Sequence, residues 1–142
     1  MKKEEIMTIG EIDFSDALLT EAEIGRPSLS SLGLCKIELR NNEGPLAHFH
    51  VFGVRDKKFK CCICIYSPHY FNHSGYTGQL NAAQREALDT WLRSYDDGAK
   101  ETYWEYIERS WYTMNPDNKK YRPEANLRIQ PDYTKLQNYR SR

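Results

Sequence analysis

The sequence predicts an α+β fold: a small antiparallel sheet of three or more strands packs against a C-terminal αα-hairpin, and an extended C-terminal tail follows. Apolar and polar residues alternate over residues 32–40 and 46–54, and a nearly apolar run covers residues 59–66. The apolar spacing then changes to three and four residues between Leu80 and Met114. The first pattern is typical of strands and the second of amphipathic helices, so the sheet precedes the helices along the chain.

Length and charge indicate one domain with two charged extensions. A chain of 142 residues can bury roughly two-thirds of the surface that its unfolded form exposes. We assign residues 1–31 to an acidic N-terminal arm, residues 32–114 to the α+β core domain and residues 115–142 to a basic, tyrosine-rich tail. Residues 1–30 carry three basic and seven acidic side chains, and residues 116–142 carry seven basic and three acidic ones. The two ends therefore have complementary charge, and the net charge of zero argues against nucleic-acid binding through a positive field of the whole domain.

Three strands are expected in the first half of the chain. The alternation at residues 32–40 ends in a turn at residues 41–45, whose Asn, Gly and Pro residues favour turn geometry. The strand at residues 46–54 then runs back antiparallel, and a polar turn joins it to the strand at residues 59–66. Because this last strand is nearly all apolar, we expect it to be central and buried on both faces, or to be covered by helices. The arm before residue 32 shows isolated apolar residues and loop chemistry, so we expect it to pack only in part.

Two helices are expected in the second half of the chain. Asn81 and Gln84 form a capping-box pattern at the start of the first helix, whose apolar residues recur through about Tyr95. After an Asp-Asp-Gly break, the second helix covers residues 99–114 and ends before Pro116. Helices joined by so short a break form an αα-hairpin, and we expect its apolar side to cover the sheet.

The segment of residues 46–76 holds all four histidines and three of the four cysteines, and it carries the candidate site. Side chains of a strand alternate between its two faces, so His48 and His50 share one face. Imidazole is the commonest side-chain ligand of zinc, and His69 and His73 in the following loop could complete a metal site with them. A structural histidine pair that bonds to the backbone or faces a pocket is the favoured interpretation, and the metal site is the alternative.

An enzyme is the less favoured prediction. The sequence has no phosphate-binding loop and no Gly-x-Ser-x-Gly elbow. Cys62 and Cys64 are expected to be reduced, buried thiols, which agrees with a cytoplasmic protein. The sequence shows no membrane-length apolar run and no signal-peptide pattern. We expect no cofactor. The alternative is that the histidine cluster holds one divalent ion, with zinc as the first candidate, and that the protein is a metal-dependent hydrolase or nuclease.

The tail interleaves basic and aromatic residues. Its predicted partner-binding residues are Tyr121, Arg122, Arg128, Tyr133, Lys135, Tyr139 and Arg140. Such a segment can dock on the acidic arm of its own chain, bind an acidic protein partner, or contact phosphates and stack on bases as single-strand binders do. We expect a protein partner before nucleic acid, because the rest of the domain adds no positive field. No membrane partner is expected, and the sequence does not decide whether the protein forms a homo-oligomer.

The stretch from Pro45 to Val51 reads Pro-Leu-Ala-His-Phe-His-Val, and a helical part lies between Leu80 and Trp111. This order resembles a family of small bacterial proteins in which a turn and a proline lead into a His-Phe-His-Val strand, a further strand and helices. The resemblance covers residues 32–114. It implies a component of a short gene pair that acts in a toxin–antitoxin-like or mobile-element context. Because the sequence has no strong catalytic motif, we expect a small bacterial or phage protein that binds a macromolecular partner, such as a toxin–antitoxin-like component or an inhibitor of a host defence system. The aromatic share of 13% also favours an interaction surface.

Overall fold

Four antiparallel strands form one sheet in the order β1-β2-β3-β4. The computed structural model describes residues 3–14, 32–96 and 98–137. The strands are β1 (Ile6–Asp13), β2 (Leu34–Arg40), β3 (His48–Gly53) and β4 (Lys60–Cys64). The predicted α+β class and antiparallel sheet are therefore confirmed.

The edge strand β1 lies inside the stretch that the sequence assigns to the acidic arm. A bulge between Thr8 and Gly10 shifts its register, so that Met7 faces the core before the bulge and Ile12 faces it afterwards. An apolar period that changes phase within a strand does not appear as a regular alternation. This explains why the sequence pattern did not reveal β1. Predictions for arm residues 15–31 fall outside the described residues.

Two helices follow the sheet, α1 (Ala82–Arg93) and α2 (Tyr103–Met114). Asn81 caps α1 and Thr102 caps α2, each in a reciprocal capping box. These boxes satisfy N–H groups that the first helical turn leaves free, and the Thr102 cap explains why α2 begins later than predicted. The description of the two helices as an αα-hairpin stays a prediction.

One face of the sheet packs against the two helices to form the core. The large buried side chains include Ile37, Phe49, Val51 and Ile63 from the strands, and Leu88, Leu92, Trp104, Ile107 and Trp111 from the helices. Burial of each such side chain contributes about 1.5–3 kcal/mol. The helical layer thus covers one face of the sheet and leaves the histidine-bearing face of β3 on the other side.

Strand β4 is the last strand of the sheet in the described residues, so the first of the two predicted alternatives, a central strand, is wrong. Its burial has another cause, because the loop of residues 67–78 folds back along it. The Cys64 N–H donates to the His69 carbonyl oxygen, and the Phe71 N–H donates to the Cys62 carbonyl oxygen. The outer edge of β4 is therefore paired and its outer face covered.

The described part of the tail lies on the domain of its own chain. It contains three short 3-10 helical turns, Pro116–Tyr121, Ala125–Leu127 and Tyr133–Lys135. Tyr133 is fully buried, and its hydroxyl is 2.8 Å from the carbonyl oxygens of both Cys64 and Ile65. The tail is therefore attached to the end of β4.

Candidate metal centre

Strands β3 and β4 bring two histidines and two cysteines together on the sheet face opposite the helices. His48 lies opposite Cys64 and His50 lies opposite Cys62 in the strand register. Facing residues of antiparallel strands project to the same side, and all four side chains are buried. The two histidines thus share one face, as the strand period predicts.

The turn between β2 and β3 adds a carboxylate that the sequence analysis did not include. One oxygen of Glu43 is 3.0 Å from His48 Nε2, and the other is 3.0 Å from His50 Nε2. In the sequence, the acidic residue that follows the histidine pair is Asp56, whereas the carboxylate that meets the two imidazoles precedes the pair. Glu43 is the acidic residue of the 41–45 turn, and its position just before the strand is the signal that could have found it.

The surroundings of Glu43 favour its ionised form, and those of His50 favour its neutral form. Burial by itself would raise the pKa of Glu43, but hydrogen bonds and charge from His48 and His50 outweigh it and lower the pKa to about 2. At His50 burial has the largest effect and lowers the pKa, although the Glu43 carboxylate opposes this shift. Hydrogen bonding therefore prevails at the carboxylate and burial prevails at the imidazole.

His48 faces a hydrogen-bond acceptor at each of its ring nitrogens. Its Nδ1 is 2.8 Å from the Leu46 carbonyl oxygen, and its Nε2 is 3.0 Å from a Glu43 oxygen. A carbonyl oxygen only accepts, so Nδ1 carries a hydrogen and a neutral ring presents a lone pair at Nε2. A lone pair that faces a carboxylate is repelled. The contact therefore requires positive charge, either a proton on Nε2 or a cation shared by both groups.

The spacing of these atoms suits a metal ion. Zinc lies about 2.0–2.2 Å from nitrogen and carboxylate ligands, so neighbouring ligands of a tetrahedral site are roughly 3.3 Å apart. The Glu43 oxygens lie 3.0 to 3.3 Å from the two imidazole Nε2 atoms. The ligand atoms of His48, His50 and Cys62 also lie within 4.8 Å of one another. Two imidazoles and a carboxylate form a donor set that zinc accepts.

Cys62, His50 and Glu43 also form a thiol–imidazole–carboxylate series, since Cys62 Sγ is 3.2 Å from His50 Nδ1. A cysteine nucleophile needs such a series together with access and a lowered thiol pKa. Cys62 is fully buried, and burial raises the pKa of its thiol well above the ordinary value. The thiol is therefore a hydrogen-bonding partner of His50 in this arrangement and not a nucleophile.

An aromatic shell from the 67–78 loop covers both imidazoles. The Phe71 ring stacks on His48 with centroids 3.8 Å apart, and Tyr76 meets the His50 ring nearly edge-on at 5.5 Å. His73 belongs to this shell, with its ring centroid 6.0 Å from that of His50. The loop thus separates the two imidazoles from solvent.

His69 is the predicted histidine that lies apart from the others. Its N–H donates to the Ser67 carbonyl oxygen, and its own carbonyl accepts from β4. Among the ring contacts of the described residues, none joins His69 to His48 or His50. The structure therefore brings His48 and His50 together, places His73 beside them, and gives His69 backbone contacts.

The predicted partner-binding residues of the tail fall into three groups. Some are engaged within the chain, some are exposed, and some lie outside the described residues. The engaged residues are Arg122, Arg128 and Tyr133, the exposed ones are Tyr121 and Lys135, and those outside the described residues are Tyr139 and Arg140. Tyr133 has no exposed surface to offer a partner, so its role is to anchor the tail.

No family model matches the chain, and searches of the curated proteins and of the solved structures return no match. The resemblance to proteins with a His-Phe-His-Val strand therefore stays a prediction. Within residues 3–14, 32–96 and 98–137, no helix combines the length and the apolar character that crossing a membrane requires.

Proposed function

We propose that the protein binds one divalent metal ion, zinc, through Glu43, His48 and His50. The observation that carries the proposal is the His48 ring, whose two nitrogens both face acceptor oxygens. A zinc ion would take up the lone pair of Nε2 and balance the charge of the carboxylate. The bond from His48 Nδ1 to the backbone is the kind of outer contact that orients a zinc-bound histidine. At His50 the ion would bind Nε2, and Nδ1–H would donate to the Cys62 sulfur.

We propose ion binding, and not hydrolase or nuclease activity, as the function of this site. A catalytic zinc ion keeps one coordination position open for water and substrate. Here the exposed fractions of His48 and His50 are 2% and 1%, and the rings of Phe71 and Tyr76 lie against them. On the side of the loop, a substrate would have to displace this aromatic shell before it reached the imidazoles.

Zinc content tests the proposal directly. Protein purified without a His-tag, stripped with a chelator and reloaded, should retain about one zinc ion per chain in elemental analysis. The double variant His48→Ala and His50→Ala should retain less than about 0.1 ion per chain, because two of three ligands are gone. His69→Ala is the matched control and should keep the ion, since its ring lies apart from the site.

Circular dichroism of each variant separates loss of ligands from loss of fold. If folded wild-type protein retains no zinc, a proton on His48 Nε2 supplies the positive charge. The cluster is then a structural ion pair with Glu43, and the metal proposal is refuted.

Binding of a protein partner is the second candidate function, and exposed apolar side chains on the tail favour it. Leu127 and Ile129 are 61% and 70% exposed, and Tyr121 is 56% exposed. The nearby lysines Lys119 and Lys120 are exposed as well, which suits an acidic partner surface. A toxin–antitoxin-like role of the protein rests on the resemblance alone.

A pull-down with paired variants tests this second candidate. The double variant Leu127→Ser and Ile129→Ser should lose a stoichiometric protein that the wild type retains, because large apolar residues anchor interfaces. Tyr95→Ser, which alters an exposed residue between the helices, should retain it. Equal recovery from the wild type and the double variant would contradict a binding role for this part of the tail.

A further inference from the structure

Two asparagines at the end of the helical layer hold the backbone of Glu43. Asn115, the C-cap residue of α2, accepts the Glu43 N–H at its Oδ1 over 2.8 Å. Asn118, in the first 3-10 turn of the tail, donates from Nδ2 to the Glu43 carbonyl oxygen over 2.6 Å. The peptide groups on both sides of Glu43 are therefore fixed by side chains from the junction of α2 and the tail.

Asn115 is itself held in one position. It is buried, and its Nδ2 donates to the carbonyl oxygens of Arg40 at 2.9 Å and Trp111 at 3.0 Å. A side-chain amide has two N–H donors and one acceptor oxygen, and all of these are used. Asn118 is tied to the same point, because its N–H donates to the Asn115 carbonyl oxygen. Together they connect the end of β2, the end of α2 and the start of the tail.

An open cleft of about 660 Å³ lies between the Glu43 turn and the first 3-10 turn of the tail. Glu43, Asn118, Lys120 and Tyr121 are among its lining residues. On this side solvent reaches the Glu43 residue at the point where Asn118 holds it. A displacement of this turn of the tail would therefore move the carboxylate that faces the two histidines.

We infer that Asn115 and Asn118 are positioning residues of the metal centre, and that zinc binding is coupled to docking of the tail at Asn118. The inference rests on the proposed function. The docked tail places Glu43 where both imidazoles meet it, so it pre-organises the ligand set. Because coupling between two binding events is reciprocal, an ion that needs this arrangement must in turn favour the docked tail. Docking of the tail, which carries exposed basic and aromatic residues, would then depend on whether the site holds zinc.

The first test measures zinc affinity of the full-length protein by competition with a chromophoric chelator. Asn118→Ala removes the donor to the Glu43 carbonyl and should weaken zinc binding about 10- to 100-fold, the usual effect of losing an outer-shell partner. Lys119→Ala, an exposed neighbour on the same turn, is the matched control and should bind as the wild type does.

The second test needs no variant and measures hydrogen exchange in the wild type. The backbone N–H groups of Asn118 and Arg122 donate to carbonyl oxygens within the 115–122 segment. The rate at which these hydrogens exchange with solvent therefore reports on docking of this turn. Zinc should slow their exchange by about 10-fold relative to metal-free protein if the coupling is of the size that Asn118→Ala measures.

The outcomes separate this inference from the proposed function. If the wild type binds zinc while Asn118→Ala binds it equally well and exchange in the tail is unchanged, the inference is overturned and the metal proposal stands. Weaker binding by Asn118→Ala without a change in exchange would support positioning and overturn the coupling. If the wild type binds no zinc, both proposals fall.

Discussion

Tyr133→Ala is expected to lower the free energy of unfolding by about 3–5 kcal/mol, the range for removal of a buried aromatic side chain. Tyr133 has no exposed surface, and its ring meets Phe49 edge-on with centroids 6.0 Å apart. The substitution leaves a cavity beneath the sheet and removes the hydroxyl that bonds to the carbonyl oxygens of Cys64 and Ile65. Urea unfolding followed by circular dichroism measures the change.

Two further variants separate the contribution of the buried ring from that of the hydroxyl group and from that of any tail tyrosine. Tyr133→Phe keeps the ring and should cost only about 0.5–1.5 kcal/mol, the net value of a hydrogen bond. Tyr121→Ala changes an exposed tyrosine of the same tail and should alter stability by less than about 0.5 kcal/mol. If Tyr133→Ala is no more destabilising than Tyr121→Ala, the tail does not belong to the folded core.

Arg122→Ala is expected to cost about 3 kcal/mol, the lower end of the range for breaking a buried ion pair. The buried Glu108 carboxylate accepts from Arg122 Nε at 2.8 Å and from Nη2 at 2.6 Å. After Arg122 is replaced, the hydrogen-bond donor that remains for this carboxylate among the described residues is the Tyr66 hydroxyl. Arg109→Ala is the matched control, because its ion pair with Glu101 is largely exposed and such pairs contribute at most about 1 kcal/mol. Equal losses from the two arginine variants would show that the Glu108 pair is not a buried one in solution.

Acid should weaken the same ion pair. Burial has the largest effect on Glu108 and would raise its pKa, but hydrogen bonds from Arg122 and Tyr66 outweigh it and hold the pKa below the usual 4.5. A carboxyl group with a lowered folded-state pKa stabilises the fold above its unfolded-state pKa, and this stabilisation is lost as the pH falls through the folded-state value. The difference in unfolding free energy between wild type and Glu108→Gln should therefore shrink below about pH 4.5. A difference that stays constant from about pH 7 to about pH 3 would contradict this assignment.

Local patterns in the sequence determined the fold class and two of the three residues of the candidate site. Alternation of apolar residues located β2 and β3, and a capping box located the start of α1. The shared face of His48 and His50 followed from their spacing alone. These features could be predicted because each depends on residues that are close in the chain, where strand and helix periods act.

Tertiary packing decided the remainder of the site. Glu43 meets the two histidines from a turn whose backbone is held by Asn115 and Asn118, which are 72 and 75 residues away in sequence. No local period encodes a hydrogen bond over such a distance, since the packing of α2 against the sheet brings its partners together.

The same distinction explains the elements that the sequence did not reveal. The bulge in β1 breaks the alternation that identifies a strand. Strand β4 is apolar on both faces because a loop covers it. An edge strand that a loop covers therefore has the same apolar sequence pattern as a central strand. The spacing of Tyr133 in the tail shows no period, yet its side chain is fully buried in the core. The sequence alone determined which residues share a face, while the tertiary structure decided which turn, loop and tail close over them, because those contacts depend on how distant segments pack.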